Sequence, residues 1–562
     1  MTTYYVKSGG NDSFSGTSDE TAWAYCPGMS SWSGSVTLSA GDIVYFRSQD
    51  TWQDSTPPVL LTKEGVTYNG STYGTGTRAT LQVTGSDTGH GSADIFVGNV
   101  VLKDLNMDGN GYAVMGINIG YNISMLNDIE NITIDGCHIY NGRDTDEGNQ
   151  YYYGILVSQR SQYTTRNVTI KNCIVHDTAH EGISIYPAWA VSGNKVDTVL
   201  VQNCEIYNTG RVSGYRGNPV DITNDVANVT IEYNNIHDCS ADAGFAICSY
   251  DPYDLGSPTN VIVRYNIMEG VLIALNSYFD NLGIDGNGEI YCNLLIDGGF
   301  TFAESDLFNG SWKFYNNTVY NPSNIRYCIA GSYNKAAMNT SGVEIRNNIF
   351  YSSNRAVVND WANTLSEMVH TNNLYYRSDS SSVVINNSVL SNANAVPSTS
   401  VSVTHDINYT YFTKSGGTDW TTVFSVGQWI RWSGFNNDEF NDRNFEITSV
   451  SADVLRVYNI ILGVSGPTET TVVTGQKWVN NAYNLSQVTT WEPSGAQNTD
   501  PLFVDAANRN LKVQANSPCI GAGIDMDLIK DYSGRLVKNV PDIGAYEYQV
   551  GSTSLFPINF RK

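Results

Sequence analysis

The segment NITIDGCHIYN, which begins at Asn131, carries the pattern that decides the fold, because close copies of it return along the middle of the chain. The clearest copies are NVTIKNCIVHD at Asn167, TVLVQNCEIYN at Thr198, NVTIEYNNIHD at Asn228 and NVIVRYNIMEG at Asn260. Fainter copies extend the series to MVHTNNLYYRS, so that nine copies recur roughly every 29 residues. A period of this length predicts a solenoid of stacked, similar coils.

Aligning the nine copies produces two regular columns. The first holds small polar residues: Cys137, Cys173, Cys204, Asn234, Asn266, Asn293, Asn317, Asn348 and Asn372. The second, two positions later, is apolar in every copy: Ile139, Val175, Ile206, Ile236, Met268, Leu295, Val319, Phe350 and Leu374. Stacked strands lie about 4.8 Å apart, so an Asn repeated at one bend can form hydrogen bonds with the bends above and below it. We therefore expect the polar column to be structural.

Each copy also alternates apolar and polar residues in the way that strands do. Val168 and Ile170 point to one side and Thr169 to the other, and a polar turn then precedes a second strand-like stretch. A third alternating run follows, as in GISIY at residues 182–186. Three short strands in each repeat predict one coil of a parallel β-helix.

These features resemble the right-handed parallel β-helix of the pectate-lyase-like superfamily, whose Asn ladder occupies such a bend. The resemblance covers roughly residues 90–390 and concerns the fold more than the reaction. It implies an all-β chain, a right-handed solenoid, and an outward strand face on which oligosaccharides commonly bind.

Four regions are expected: an N-terminal cap with the first coils over 1–90, the parallel β-helix over 91–399, an inserted small antiparallel β-barrel or sandwich module over 400–478, and a final coil with a C-terminal cap over 479–562. The opening segment resembles the cap of secreted bacterial β-helix proteins, and DIGAYE at Asp542 resembles their C-terminal segment. The inserted module resembles a small β module of phage tail proteins, which favours a viral origin.

The composition excludes some partners. The formal net charge is −24 at pH 7, which argues against nucleic acid and anionic membranes, because binding to phosphate groups depends on Lys and Arg. The sequence shows neither a leader peptide nor an apolar run long enough to span a bilayer. Nine cysteines is an odd number, and we predict free thiols rather than a disulfide framework. We expect an extracellular or virion-associated protein, which would be a trimer if it is tailspike-like.

Candidate catalytic residues follow from the third strand of each coil. Val220 and Ile222 are expected to face the core, so Asp221 between them faces outward. Other coils hold uncharged residues such as Ser184 at this position, so the repeat itself does not require a carboxylate there. A groove walled by loops and aromatic side chains suits an extended polysaccharide. The candidate catalytic residues are Asp221, Arg216, Glu181, His180 and Tyr186, and the candidate substrate-binding residues are Arg211, Tyr215, Trp189, Lys195, Tyr250, Asp251 and Tyr253.

Three functions fit this set of residues. In β-elimination, which the sequence favours, Arg216, Lys195, His180 or Tyr186 abstracts the proton beside a uronate carboxylate, while Arg211 or a metal neutralises that carboxylate. In glycoside hydrolysis, Asp221 and Glu181 on adjacent coils form the pair of carboxylates. The third function is that of a non-catalytic, carbohydrate-binding tailspike-like virion protein. In each case the expected partner is a polysaccharide.

One acidic loop predicts a metal site. Asp144, Asp146 and Glu147 lie in RDTDEGN at a spacing similar to that of a Ca²⁺ loop, although the full EF-hand pattern is missing. Ca²⁺ is therefore the one cofactor that the sequence suggests. His176 and His237 share a column that holds Tyr in other coils, and we expect them to be packed repeat residues rather than ligands.

Overall fold

A computed structural model describes most of the chain. The described residues are 1–85, 90–122, 127–142, 153–160, 163–187, 195–210, 217–239, 244–249, 256–277, 286–303, 310–323, 326–331, 340–353, 357–361, 368–379, 383–405, 409–417, 419–424, 429–433, 444–458, 470–484, 492, 496–497 and 499–549.

Each coil contributes one strand to each of three parallel sheets, which we number in the order in which the repeat meets them. Sheet 1 contains Thr3–Val6, Ile43–Arg47, Thr67–Tyr73, Val101–Lys103, Ile129–Asp135, Thr164–Lys171, Lys195–Gln202, Val226–Glu232, Thr259–Arg264, Asn287–Tyr291, Ser311–Tyr315, Val343–Arg346 and Val369–Thr371. Sheet 2 contains Thr51–Asp54, Ala79–Val83, Leu105–Asp108, His138–Tyr140, Ile174–His176, Glu205–Tyr207, Asn235–His237, Ile267–Glu269, Leu294–Ile296, Thr318–Asn321, Ile349–Ser352, Leu374–Arg377 and Ala496–Gln497. Sheet 3 contains Leu60–Leu61, Gly91–Ile95, Met115–Ile119, Tyr153–Gln159, Ile183–Pro187, Val220–Thr223, Gly244–Ser249, Leu272–Ser277, Gly299–Ala303, Ile329–Ala330, Val358–Trp361 and the start of Val383–His405.

The chain is thus the right-handed parallel β-helix that the repeat predicts, and its core is one continuous column of apolar side chains between the three sheets. Ile134 from sheet 1, Ile139 from sheet 2 and Ile155 from sheet 3 all belong to this core. Several strands of sheet 3 have a Gly at or next to their first residue, and the reason is steric. A Cβ on Gly154 would lie 2.5 Å from Cγ1 of Val175, so a larger residue would displace the apolar column of sheet 2.

The predicted Asn ladder is present at the bend between sheets 1 and 2. Asn234 donates from its backbone N and from Nδ2 to Oδ1 of Asn266, at 3.0 Å in both cases. Asn266 repeats the contact with Asn293 at 3.1 and 3.0 Å, and the series continues to Asn348. These residues are fully buried, so water cannot reach their polar groups. The ladder supplies the hydrogen-bond partners that these groups need.

The alignment of the last copy was wrong by one residue. Asn348 donates to Oδ1 of Asn373, not of Asn372, and Phe350 pairs with Tyr375 rather than with Leu374. Asn372 has a φ of 57° and occupies the left-handed position that precedes the ladder in each coil. Two adjacent Asn residues suit these two positions equally well, so composition could not distinguish them.

The ladder ends on a buried carboxyl group. Glu492 is completely buried, and its Oε1 accepts hydrogen bonds from the backbone N and Nδ2 of Asn373 at 2.6 and 3.0 Å. The hydroxyl of Tyr375 donates to Oε2 at 2.6 Å. Burial raises the pKa of Glu492 to about 7 despite these donors. The last position of the ladder needs a side chain that accepts hydrogen bonds from Asn373, and the carboxyl group of Glu492 does so.

A small antiparallel unit follows the coils and confirms the inserted β module of the predicted fold class. It is built from Val383–His405, Tyr409–Lys414, Trp429–Ser433, Asn444–Val450, Val454–Tyr458 and Thr470–Asn484, with a 3₁₀ turn at Trp420–Thr422. It has its own apolar core, which includes Phe412, Trp420 and Trp432. The strand Val383–His405 starts in sheet 3 and pairs with Thr470–Asn484, so two long strands connect this unit to the solenoid.

The C-terminal segment, residues 499–549, packs along the solenoid over the bend between sheets 1 and 2. Asn372 donates from Nδ2 to the carbonyl of Ala522 at 2.8 Å, and the hydroxyl of Tyr265 donates to the carbonyl of Lys530 at 3.2 Å. The segment therefore runs back across several coils. Its regular elements are the strands Phe503–Asp505 and Asn510–Val513 and the 3₁₀ turn Ala506–Asn508. Within the described ranges, no helix is long and apolar enough to cross a membrane.

Candidate functional site

The candidate site lies on the outer face of sheet 3, where Asp221 stands in the strand Val220–Thr223. Val220 and Ile222 belong to the core of the solenoid, as the alternation predicts. Asp221 pairs with Ser184 in the preceding coil and with Ala246 in the following one. The strand register therefore places the Asp221 carboxylate outside the core.

Four neutral groups of the described residues contact the carboxylate of Asp221. Thr223 donates from Oγ1 to Oδ2 at 2.8 Å, and Ser184 donates to the same oxygen at 3.4 Å. Asn218 donates from Nδ2 to Oδ1 at 3.4 Å, and the thiol of Cys248 lies 3.8 Å from Oδ1. Burial raises the pKa of Asp221 to about 7, with a further contribution from the charge of Glu181, although these donors oppose the shift. Asp221 therefore keeps a proton to a higher pH than an ordinary carboxyl group.

Glu181 and His180 lie on the turn that precedes Ile183–Pro187. The Glu181 side chain is 12% exposed, and its Oε2 is 3.7 Å from Nδ1 of His180. This oxygen is buried, and none of the described residues forms a hydrogen bond with it. The charge of Glu181 contributes to the pKa of Asp221, Tyr153 and Tyr186, so the four groups share one site.

Two tyrosines complete this site. The hydroxyls of Tyr153 and Tyr186 are 3.1 Å apart, and burial raises the pKa of both phenols far above the usual range. Both groups therefore remain protonated at neutral pH and can donate hydrogen bonds. Tyr186 was predicted from the sequence, whereas Tyr153 was not. The signal was its place at the start of the equivalent strand one coil earlier, in YYYGILV.

The outer face is more covered than the predicted open groove. The outward side chains of Ser184, Tyr186, Thr223 and Cys248 are buried, whereas Asp221 is partly exposed. A small apolar cluster covers part of the sheet; it contains Val114, Met115, Leu156, Ala179 and Tyr186, with Tyr121 and Tyr153 packed against it. Asp221 is thus partly accessible in a recess between outward side chains that are themselves buried.

A second polar pair lies on the same face, nearer the N-terminus. Asp94 is completely buried in the column of sheet 3 that leads through Asn118, Leu156 and Ser184 to Asp221. Its Oδ2 contacts Nδ1 of His90, and its Oδ1 accepts a hydrogen bond from the backbone N of Gly91 at 3.0 Å. This pair was not predicted from the sequence. The signal was Asp94 itself, a carboxylate at a strand position that holds the uncharged residues Asn118, Leu156 and Ser184 in the next three coils.

Lys195 lies at the edge of this region. It is exposed, and it is the first residue of a sheet 1 strand, next to Thr164. Its charge lowers the pKa of Asp225 in opposition to the larger effect of burial, so it stands near the corner that follows the Asp221 strand. This position is compatible with a contact to a long substrate but is separate from the group around Asp221.

The other predicted site residues lie outside the described residues. These are Arg216 among the catalytic candidates, Arg211, Tyr215, Trp189, Tyr250, Asp251 and Tyr253 among the substrate-binding candidates, and Asp144, Asp146 and Glu147 for Ca²⁺. Their roles stay predictions. In the part of the chain that the structure describes, no group of three or more His, Cys, Asp or Glu residues could hold a metal ion.

Comparisons with known proteins add resemblances of fold. No protein-family model matches the chain, and no curated protein matches it. The chain is similar to the A-module of a mannuronan C-5 epimerase from Azotobacter vinelandii, with 15% identity and a TM-score of 0.32 over 57% of this chain and 85% of that one. It is similar to a lacto-N-biosidase from Eubacterium ramulus, with 12% identity and a TM-score of 0.36 over 67% of this chain and 64% of that one.

A third similar structure is the tailspike protein of E. coli bacteriophage HK620, solved in complex with a pentasaccharide. The identity is 10% and the TM-score 0.27, over 78% of this chain and 87% of that one. Similarities this weak carry no argument about activity. The assignment of the fold rests on the strand pairing within the chain itself.

Proposed function

We propose that the chain is a glycoside hydrolase that cleaves an extended polysaccharide at the recess around Asp221 and Glu181. The observation that carries this proposal is the pair of carboxyl groups on adjacent coils, Asp221 and Glu181, together with the raised pKa of Asp221. Burial and the charge of Glu181 raise the pKa of Asp221 to about 7. A carboxyl group that keeps its proton to a higher pH, with a second carboxyl group nearby, is the arrangement that general acid catalysis of glycoside cleavage uses.

In this mechanism Asp221 is the general acid. Its protonated carboxyl group donates to the glycosidic oxygen as the bond to the anomeric carbon breaks, so the leaving sugar departs as a neutral alcohol. In this proposal the carboxylate of Glu181 stabilises the positive charge that develops on the sugar ring. Glu181 then either activates a water molecule or forms a covalent intermediate, depending on its distance from the anomeric carbon.

The tyrosines and His180 have supporting roles in this proposal. The protonated hydroxyls of Tyr153 and Tyr186 can donate to sugar oxygens, and their rings can pack against the apolar face of a sugar. His180 lies 3.7 Å from Oε2 of Glu181 and can fix the direction of that carboxylate. Lys195 and the aromatic loop residues of the sequence analysis would contact more distant sugar units.

Hydrolysis is better supported than the β-elimination that the sequence favours. Elimination needs a base and a cation beside the uronate carboxylate. The raised pKa of Tyr186 makes this phenol a poor base at neutral pH. Among the described residues, the groups that donate hydrogen bonds to Asp221 are neutral, while Arg211 and Arg216, which elimination would use, lie outside the described residues. A polysaccharide substrate agrees with the predicted location outside the cell or on a virion.

A panel of polysaccharides tests the proposal. New reducing ends without ultraviolet absorbance from an unsaturated uronate are expected for a hydrolase. The same products with that absorbance would indicate elimination, and binding without any products would indicate an adhesin. Either of the last two results would refute the proposed reaction.

A further inference from the structure

The C-terminal segment forms one wall of a pocket on the outer face of sheet 1, on a different sheet from the recess around Asp221. The pocket has a volume of about 470 Å³, within the range of about 300–1,000 Å³ that is usual for small-molecule sites. Side chains from four successive sheet 1 strands form its floor, and residues 525–529 form its outer wall. This pocket is separate from every residue assigned above to the proposed reaction.

One column of the floor alternates in charge. The strand register places Glu289, Lys313 and Glu344 side by side in three successive coils. Nζ of Lys313 lies 3.8 Å from Oε1 of Glu289, which is beyond hydrogen-bond distance. The three side chains are 42%, 39% and 30% exposed. The column therefore presents a carboxylate, an ammonium group and a second carboxylate on strands about 4.8 Å apart, and each can form further hydrogen bonds.

The neighbouring column holds two tyrosines between two arginines. Tyr291 and Tyr315 are stacked with their ring centroids 4.9 Å apart, and Arg264 and Arg346 pair with them in the preceding and following coils. Arg264 donates from Nη1 to the hydroxyl of Tyr291 at 2.7 Å, and the hydroxyl of Tyr315 donates to Oε2 of Glu289 at 2.9 Å. These contacts fix both rings beside the alternating charges.

The outer wall of the pocket is attached at both of its ends. The backbone N of Ile524 donates to Oδ1 of Asn347 at 2.9 Å, and its carbonyl accepts from Nδ2 of the same residue at 2.7 Å. At the other end, the hydroxyl of Tyr265 donates to the carbonyl of Lys530 at 3.2 Å. Between these ends Met526 packs against the tyrosines of the floor. A ligand would therefore meet walls that are already in place, which lowers the entropic cost of binding.

The charges that line the pocket restrict the chemistry of its ligand. Four carboxylates and three cations line it, so its charge does not favour phosphate or sulfate. In the part of the chain that the structure describes, no group of His, Cys, Asp or Glu could hold a metal ion. A purely apolar ligand would bury these charged groups without partners. A hydroxyl group both donates and accepts hydrogen bonds, so a neutral ligand with several hydroxyls matches both signs of charge.

We infer that this pocket binds a neutral sugar unit. The basis is the alternation of Glu289, Lys313 and Glu344 beside the tyrosine rings. Sugar hydroxyls would donate to the two carboxylates and accept from Lys313, while the C–H groups of the sugar would pack against the tyrosines and Met526. That this sugar belongs to the polysaccharide cleaved at Asp221 rests on the proposed function, whereas the binding of the sugar does not. The pocket would then hold one part of the polymer while the recess acts on another.

Sheet 1 itself supplies matched controls. Lys313→Met and Glu344→Gln each remove one charge from the pocket and keep the side chain close to its original length. Lys171→Met and Glu130→Gln remove the same charges from ion pairs in earlier coils of sheet 1, and neither residue lines the pocket. Lys171 is 37% exposed, against 39% for Lys313, so the two Met variants expose a similar apolar side chain.

The experiment is binding of the full chain to an array of immobilised neutral oligosaccharides, with sulfated and sialylated glycans as charged probes. Calorimetry with the glycan that is retained most strongly then gives the affinities, and melting temperatures show that each variant is folded. We expect a neutral glycan to bind about tenfold more weakly or worse to Lys313→Met and Glu344→Gln, and with unchanged affinity to Lys171→Met and Glu130→Gln.

Three results would overturn the inference: no neutral glycan is retained, only charged glycans are retained, or the folded Lys313→Met and Glu344→Gln variants bind as tightly as wild type. Retention on the array is measured without turnover, so the inference and the proposed function can fail separately. A chain that binds through the pocket but releases no reducing ends contradicts the proposed function alone. A chain that cleaves a polysaccharide but binds glycans equally in the pocket variants contradicts this inference alone.

Discussion

Replacement of Asn266 by Leu removes one complete step of the Asn ladder. The Asn266 side chain is fully buried, and its Oδ1 accepts from the backbone N and Nδ2 of Asn234 at 3.0 Å. Its Nδ2 donates to the carbonyls of Ile231 and Arg264 at 2.9 Å and to Oδ1 of Asn293 at 3.0 Å. Leucine has a similar volume but forms none of these five hydrogen bonds.

The magnitude follows from the groups that lose these partners. The backbone N of Asn234 loses its acceptor and the carbonyl of Ile231 loses a donor, while Oδ1 of Asn293 still accepts from the backbone N of residue 266. A buried polar group without a partner costs about 1–3 kcal/mol. The backbone N of Asn234 is such a group, so the expected loss in the free energy of unfolding is about 1–3 kcal/mol.

Urea unfolding followed by circular dichroism measures this loss, and Asn266→Cys is the matched control. The chain uses Cys at the same ladder position in three earlier coils, where Sγ of Cys204 lies 3.8 and 3.4 Å from the equivalent carbonyls of Ile170 and Gln202. We expect the Cys variant to lose less stability than the Leu variant, because its thiol can still donate to these carbonyls. Activity per folded molecule should be retained. An Asn266→Leu variant with wild-type stability would refute the structural role of the ladder.

Three further predictions concern titratable groups and metal. Glu492→Gln should remove part of the pH dependence of stability. Burial raises the pKa of Glu492 in the folded state from 4.5 to about 7. The wild-type chain therefore loses about 3 kcal/mol of stability as the pH rises through this window. Urea unfolding of both chains at pH 5 and pH 8 measures this, and parallel pH curves would contradict it. Hydrolysis should decline above about pH 7 as Asp221 loses its proton, and a rate that keeps rising to pH 9 would exclude Asp221 as the acid. A chelator should lower activity or melting temperature if Asp144, Asp146 and Glu147 bind Ca²⁺, and no effect of the chelator would remove that site.

The solenoid could be predicted because its physical cause is repetitive. Each coil must place apolar residues inward and supply hydrogen-bond partners to the polar groups of the same bend. One short pattern therefore indicates both the strands and the ladder. The assignment failed at Asn372 because two adjacent Asn residues are distinguished by backbone conformation alone, with φ of 57° at Asn372. Asp221 could be predicted because alternation places it outward between Val220 and Ile222.

Contacts that depend on loop length could not be predicted. Tyr153 meets Tyr186 across 33 residues of sequence, from the start of one sheet 3 strand to the sheet 3 strand of the next coil. Glu492 reaches Asn373 from 119 residues away, after the whole antiparallel unit. The shift in the pKa of Asp221 depends on its burial and on the charge of Glu181 from the preceding coil, which the alternation within one strand does not report.

The measurement that tests the central claim most directly is the release of reducing ends from a polysaccharide substrate by wild type, Asp221→Asn, Glu181→Gln and a control. Asp238→Asn is the control, because the Asp238 side chain is 80% exposed at the end of a sheet 2 strand, on a different sheet from Asp221. We expect Asp221→Asn and Glu181→Gln each to lower turnover by about a hundredfold or more, with unchanged melting temperatures, and Asp238→Asn to keep full activity. Full activity in a folded Asp221→Asn variant would contradict the account.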